Sequence, residues 1–155
     1  MNNNAPFNIP FFALGFRAFF ALSGLSALVL MVLWRSLYNG SLSLDNYFSN
    51  NDWHAHEMLL GYTVAVITGF LLTAVKNWTG EQTLYGANLA GLALLWLYGR
   101  VLPFYSNLLP DELIALVDFS FLPVLAYCLI KPIMAAKYTR GYVFIGLLLV
   151  MALGN

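Results

Sequence analysis

Charge is what this chain most lacks. Of its 155 residues only 9% are Asp, Glu, Lys or Arg, against 61% that are hydrophobic. Soluble domains carry about 25% charged and 45–50% apolar residues, so a chain this poor in charge has no means of covering a water-facing surface. A free-standing soluble domain is excluded, and the outside must face lipid. The 7 basic and 7 acidic residues cancel, which excludes the basic footprint expected of a nucleic-acid partner. Cysteine is nearly absent. Cys128 stands alone in an apolar run, so an intramolecular disulfide is excluded and the thiol reads as a small hydrophobe. The opening Met1-Asn2-Asn3-Asn4-Ala5-Pro6 lacks the basic stretch of a cleaved signal peptide, which leaves the first helix as a retained anchor.

What is there is a series of long apolar runs. A helix needs about 20 apolar residues to span the hydrocarbon core. Residues 13–34 form the first such run, with Arg17 near its start, and the polar stretch 35–52 comes next as a loop. The second helix covers 53–75, with Asp52 or Asn51 as its expected N-cap because either side chain can accept a free first-turn amide. Along it Gly61, Ala65 and Gly69 make a stripe of small residues, the kind that lets a neighbouring helix approach closely. After a turn at 76–82 come a third helix at 84–102, a loop at 103–110 and a fourth helix at 112–130. A basic segment at 131–141 precedes a last apolar run, 142–153, which is too short to cross a bilayer. The expectation is an all-α polytopic membrane bundle, four full helices plus a truncated fifth. A single membrane domain over 1–155 is expected, as the N-terminal fragment of a longer protein. Arg17, Lys76, Lys131, Lys137 and Arg140 fall on one side and Arg35 and Arg100 on the other, so the positive-inside rule puts the N-terminus in the cytoplasm.

Both histidines stand together in Trp53-His54-Ala55-His56-Glu57-Met58, on the first turns of the second helix at its outer end. At about 100° per residue, His54 and His56 point about 160° apart and cannot share one metal ion on an undistorted helix. Either they serve two centres on opposite sides, or one ligates while the other bonds a neighbour, or both simply meet lipid headgroups. His54 and Met58, four apart, share a face, and imidazole with thioether suits copper; imidazole alone also suits haem iron. Glu57 can orient a ligand or take part in proton transfer. Asp118 lies about two turns inside the fourth helix, where a carboxylate is expected to face the bundle interior with a partner. Arg100 is the partner at matching depth. A structural Arg100–Asp118 pair, a proton relay and support of a ligand all remain open. Arg17 is expected to snorkel at the cytoplasmic end, far from the histidines.

The block Trp53-His54-Ala55-His56-Glu57-Met58-Leu59-Leu60-Gly61-Tyr62 resembles the signature of the NnrS family of bacterial membrane proteins. Leu14-Gly15-Phe16-Arg17, Gly69-Phe70-Leu71-Leu72-Thr73-Ala74-Val75, Asn77-Trp78-Thr79-Gly80, Leu95-Trp96-Leu97-Tyr98-Gly99-Arg100 and Asp118-Phe119-Ser120-Phe121-Leu122-Pro123 are similar to it in order. Ala18 after Arg17 and Lys76 before Asn77 stand where the family pattern has proline, both outside the histidine block. The resemblance implies a multi-pass inner-membrane protein of about twelve helices that binds haem and copper. It also implies a role in nitric oxide metabolism and tolerance of nitrosative stress, with nitric oxide as a ligand. It points to His54 and His56 as metal ligands and assigns further ligands to later helices, missing from this chain. Arg100 or Arg35 would then meet haem propionates. The other reading is a transport or channel module in which Asp118, Glu57 and the histidines form an ion or proton path.

Overall fold

The structure, a computed structural model, describes residues 9–43 and 47–155. Four helices are long and apolar enough to cross a membrane: α1 Gly15–Tyr38, α2 Asn50–Thr79, α3 Gly86–Tyr105 and α4 Asp111–Ala135. A shorter apolar helix, α5 Gly141–Leu153, completes the set. Among the described residues there is no strand. The chain is therefore a multi-pass membrane protein, as its composition requires. Exposed apolar side chains mark the surface that meets lipid: Leu28, Val32, Leu116, Val143 and Leu153 all point outward.

Small residues decide how closely the helices approach. Gly15 of α1 lies against Leu72 of α2, and a Cβ on Gly69 would come within 2.8 Å of the Phe20 ring and 3.2 Å of Phe19 Cβ. Phe19 is thereby driven into the core with Ala18, Ala65 and Leu72, where its ring lies 6.1 Å from that of Phe121 of α4. Lipid is as apolar as these side chains, so close packing, which the predicted Gly61-Ala65-Gly69 stripe permits, carries much of the association. All three stripe residues are buried. At the other side of the bundle Gly141 opens α5 against Ile133 of α4.

Helix ends shift from the sequence expectation for local reasons. Helix α2 starts at Asn50, and its cap is Ser49 rather than Asp52 or Asn51. The Ser49 hydroxyl accepts the Asp52 amide at 3.3 Å and donates to the Asp52 carboxylate at 2.6 Å, so Asp52 sits in the first turn, where its charge favours the helix dipole. The other end of α2 runs through Asn77-Trp78-Thr79 and stops at Gly80, whose φ of 72° reverses the chain. Thr83 then pins the turn by donating to the Leu72 carbonyl at 2.7 Å.

Candidate functional site

The N-terminal half of α2 is not a regular helix. Residues Asn50–His56 are α-helical, Glu57–Thr63 form a π-helical segment, and Val64–Thr79 return to α geometry. The wider turn is held from two sides. Thr63 Oγ1 donates to the Met58 carbonyl five residues back at 2.8 Å, and Trp96 of α3 donates its indole N–H to the Gly61 carbonyl at 3.1 Å. Such π segments cluster at functional sites, because they re-aim side chains that an α-helix would leave in register. Here the segment begins directly after the histidines.

The two histidines face different neighbours, in keeping with their spacing. His54 stacks on Trp34 of α1, ring centroids 4.2 Å apart and planes 11° from parallel. Its Nδ1 is buried and has no hydrogen-bond partner among the described residues. Met58 lies on this α1 side too, packed against the cluster of Leu30, Leu37 and Trp53. His56 turns the other way. It stacks on Phe48 at 4.6 Å, a residue carried into place where the Tyr47 amide bonds the Pro103 carbonyl at 2.9 Å. His56 Nε2 lies 2.9 Å from Asp118 Oδ2 and 3.0 Å from Asn155 Oδ1, and Nδ1 is 3.4 Å from Glu57 Oε1.

Around His56 lies a buried charge network. Arg100 Nη1 donates to Glu57 Oε1 at 2.9 Å, and Nη2 donates to Asp118 Oδ1. The side chains of Glu57, Asp118 and Arg100 are 1%, 9% and 11% exposed. Charges in such surroundings persist only when paired, since each ion costs several kcal/mol to desolvate. One guanidinium thus joins carboxylates from α2 and α4. The close approach depends on two glycines: a Cβ on Gly61 would sit 2.5 Å from Glu57 Oε2, and one on Gly99 would sit 2.9 Å from Asp118 Oδ1.

Residues 10–155 match the protein family described as NnrS protein, which covers nearly all of the chain and the whole of this site. The chain belongs to the NnrS family. It matches no curated protein and no solved structure. Membership in the NnrS family suggests a membrane protein of the nitric oxide response.

Within this NnrS chain the predicted residues divide into two groups. Glu57, Arg100, Asp118 and His56 converge on the network, so the pairing of Arg100 with Asp118 is observed. Both terminal nitrogens of Arg100 are committed to the chain's own carboxylates, whereas Arg35, in the last turn of α1, is exposed. His54 and Met58 stand apart from the network, on the α1 side. Arg17, as expected, is exposed at the opposite end and donates to the Pro10 carbonyl at 3.0 Å. Trp34, Phe48 and Asn155 escape a reading of the sequence, because their contacts come from other elements and no spacing announces them.

The donor chemistry bears on a metal. A buried imidazole nitrogen without a partner, His54 Nδ1, is what a ligand position requires. His56 has the other hallmark: a carboxylate 2.9 Å from Nε2 orients the ring, as carboxylates do for metal-bound imidazoles, and among the described residues Nδ1 has only the 3.4 Å contact to Glu57. Among the described residues no three His, Cys, Asp or Glu side chains converge as a ready metal cage.

Proposed function

We propose that this chain is part of a haem- and copper-binding membrane protein of the nitric oxide response, with His54 and His56 as ligands on opposite sides of α2. The observation that carries the proposal is the buried, unpartnered His54 Nδ1 within a histidine block of an NnrS-family chain. When bound, a reduced haem iron or copper supplies the open position at which nitric oxide binds. On the α1 side His54 and Met58 offer imidazole and thioether, a set that suits cuprous copper. On the α4 side Asp118 holds the His56 ring by Nε2, leaving Nδ1 as the ligating atom. Glu57 and Arg100 set the local charge, and Arg35 is the guanidinium free to meet propionates at the outer face. Further ligands come from outside the described residues. The N-terminus lies in the cytoplasm and the site at the outer face of a bacterial inner membrane, as the loop charges favour.

The test is an optical spectrum and metal analysis of the detergent-purified, full-length protein beside H54A, H56A and D118N. Each histidine substitution should remove one centre, a haem Soret band or the copper, and D118N should shift the band or weaken occupancy without abolishing it. Full-length protein that purifies with neither haem nor copper would refute the proposal.

A second reading, an ion or proton path, is favoured by one feature. Cavities flank the charge network, one lined by Glu57 and Arg100 and another by Asp118 and Asn155. Metal content separates the two readings, since a transport path needs no haem.

A further inference from the structure

A cavity of about 350 Å³ lies between α1 and α3, with α2 as its back wall. Its rim is apolar and faces lipid: Leu25 and Val29 of α1 and Leu97 and Val101 of α3 are 60%, 47%, 43% and 40% exposed. Its inner end is different, being formed by Trp53, Glu57 and Trp96, which are 1%, 1% and 3% exposed, and by Arg100. Three polar atoms of these residues, Trp53 Nε1, Glu57 Oε2 and Arg100 Nε, are buried and have no hydrogen-bond partner among the described residues. Leaving such a group unpaired costs about 1–3 kcal/mol. All three belong to residues that line the cavity, so a molecule whose head draws these side chains toward it would relieve them.

The three atoms specify what that molecule offers. Two are N–H donors and one is a carboxylate oxygen, so the head must accept as well as donate. An acyl chain does neither. A phosphate or carboxylate head offers acceptors only and would be repelled by Glu57. A neutral head with hydroxyl groups on an aromatic ring, attached to an apolar tail, satisfies both demands, and Trp53 and Trp96 offer rings for it to pack on. The volume sits at the small end of ligand pockets, about 300–1,000 Å³, which suits a single ring with its tail leaving between α1 and α3. We propose that this cavity binds a membrane-dissolved hydroquinone, with one hydroxyl donating to Glu57 and the head's oxygens accepting from Trp53 and Arg100. The site is distinct from the proposed metal positions: His54, His56 and Met58 do not line it.

The test uses the full-length protein in lipid nanodiscs, with its haem and copper content measured, and decyl-benzohydroquinone as the probe. Equilibrium binding should show one site per chain, with decylbenzene, which lacks the hydroxyls, binding at least about tenfold more weakly. V29W fills the mouth from a lipid-facing position and should raise Kd about tenfold or more, with L25W as the second blocking variant. W53F keeps an aromatic face, though a smaller one, removes the N–H and should raise Kd about two- to tenfold, the weight of one hydrogen bond. L116W, on an exposed face of α4, should change nothing. Equal binding of decylbenzene would make the cavity an acyl-chain groove, and indifference to both blocking variants would place the probe elsewhere. Probe binding that falls in proportion to haem content would hand the cavity to haem. Each of these overturns the proposal, and the first two do so whether or not the metal reading holds.

Discussion

Arg100 is the residue whose removal the structure penalises most. Its guanidinium bridges Glu57, 1% exposed, and Asp118, 9% exposed. R100L removes the guanidinium from between them and leaves two carboxylates in the bundle interior with His56 as their shared neighbour. Stripping one partner from a buried ion pair costs about 3–5 kcal/mol. Arg100 keeps 11% exposure, which lets water reach the site and places the cost near the lower end, about 3 kcal/mol. For a chain of this size each kcal/mol moves the melting temperature by about 2–4 °C, so R100L should melt about 6–12 °C lower. Cys128, the sole thiol and half-buried in α4, makes the assay simple. A maleimide that fluoresces on reaction reports the temperature at which the helix opens. The triple variant R100L/E57Q/D118N removes the charges together and keeps the volumes, so it should recover at least half of the loss. If R100L melted within about 2 °C of the parent protein, or the triple variant were no better than R100L, the network would not be the buried, mutually compensating unit described.

Two further predictions rest on independent features. G61A puts a methyl 2.5 Å from Glu57 Oε2 and 3.1 Å from Arg100 Nη1, and should cost about 1–3 kcal/mol by overpacking; G91A, with nothing within 4 Å, should stabilise α3 by about 0.5–1 kcal/mol. The same thiol-melting assay ranks the two, and a G61A protein as stable as G91A would contradict the packing. Topology is checked by thiol labelling in a C128S background: Y38C, at the exposed end of α1, should react with a membrane-impermeant maleimide from outside. K137C, in the turn before α5, should react only after the membrane is opened, and the reverse pattern would invert the orientation.

By itself the sequence determined the properties that composition and local periodicity control. Too little charge to face water dictated a membrane bundle, and the length of each apolar run dictated four spanning helices and a shorter fifth. Each property belongs to a contiguous segment, so no knowledge of neighbours is needed. The opposed aim of His54 and His56 is of the same kind, because helical pitch alone separates positions two apart. The pairing of Arg100 with Asp118 was legible as well, since a charge buried in lipid has to find its opposite and Arg100 was the cation at that depth.

Other features belong to the tertiary structure alone. The π segment after His56 depends on Trp96 reaching the Gly61 carbonyl from another helix, and nothing within 57–63 demands it. Glu57 joins the Arg100 network, rather than acting only on its neighbouring histidine, because Gly61 and Gly99 admit the other side chains so closely. Ser49 displaced Asp52 as the cap because the loop before α2 enters one turn earlier than the apolar pattern begins. The rings on the histidines, Trp34 of α1 and Phe48 of the segment before α2, and the cavity lined by Trp53 arise where separate elements meet. Residues far apart in the chain are brought there by packing, and packing is a property of surfaces that no single segment carries.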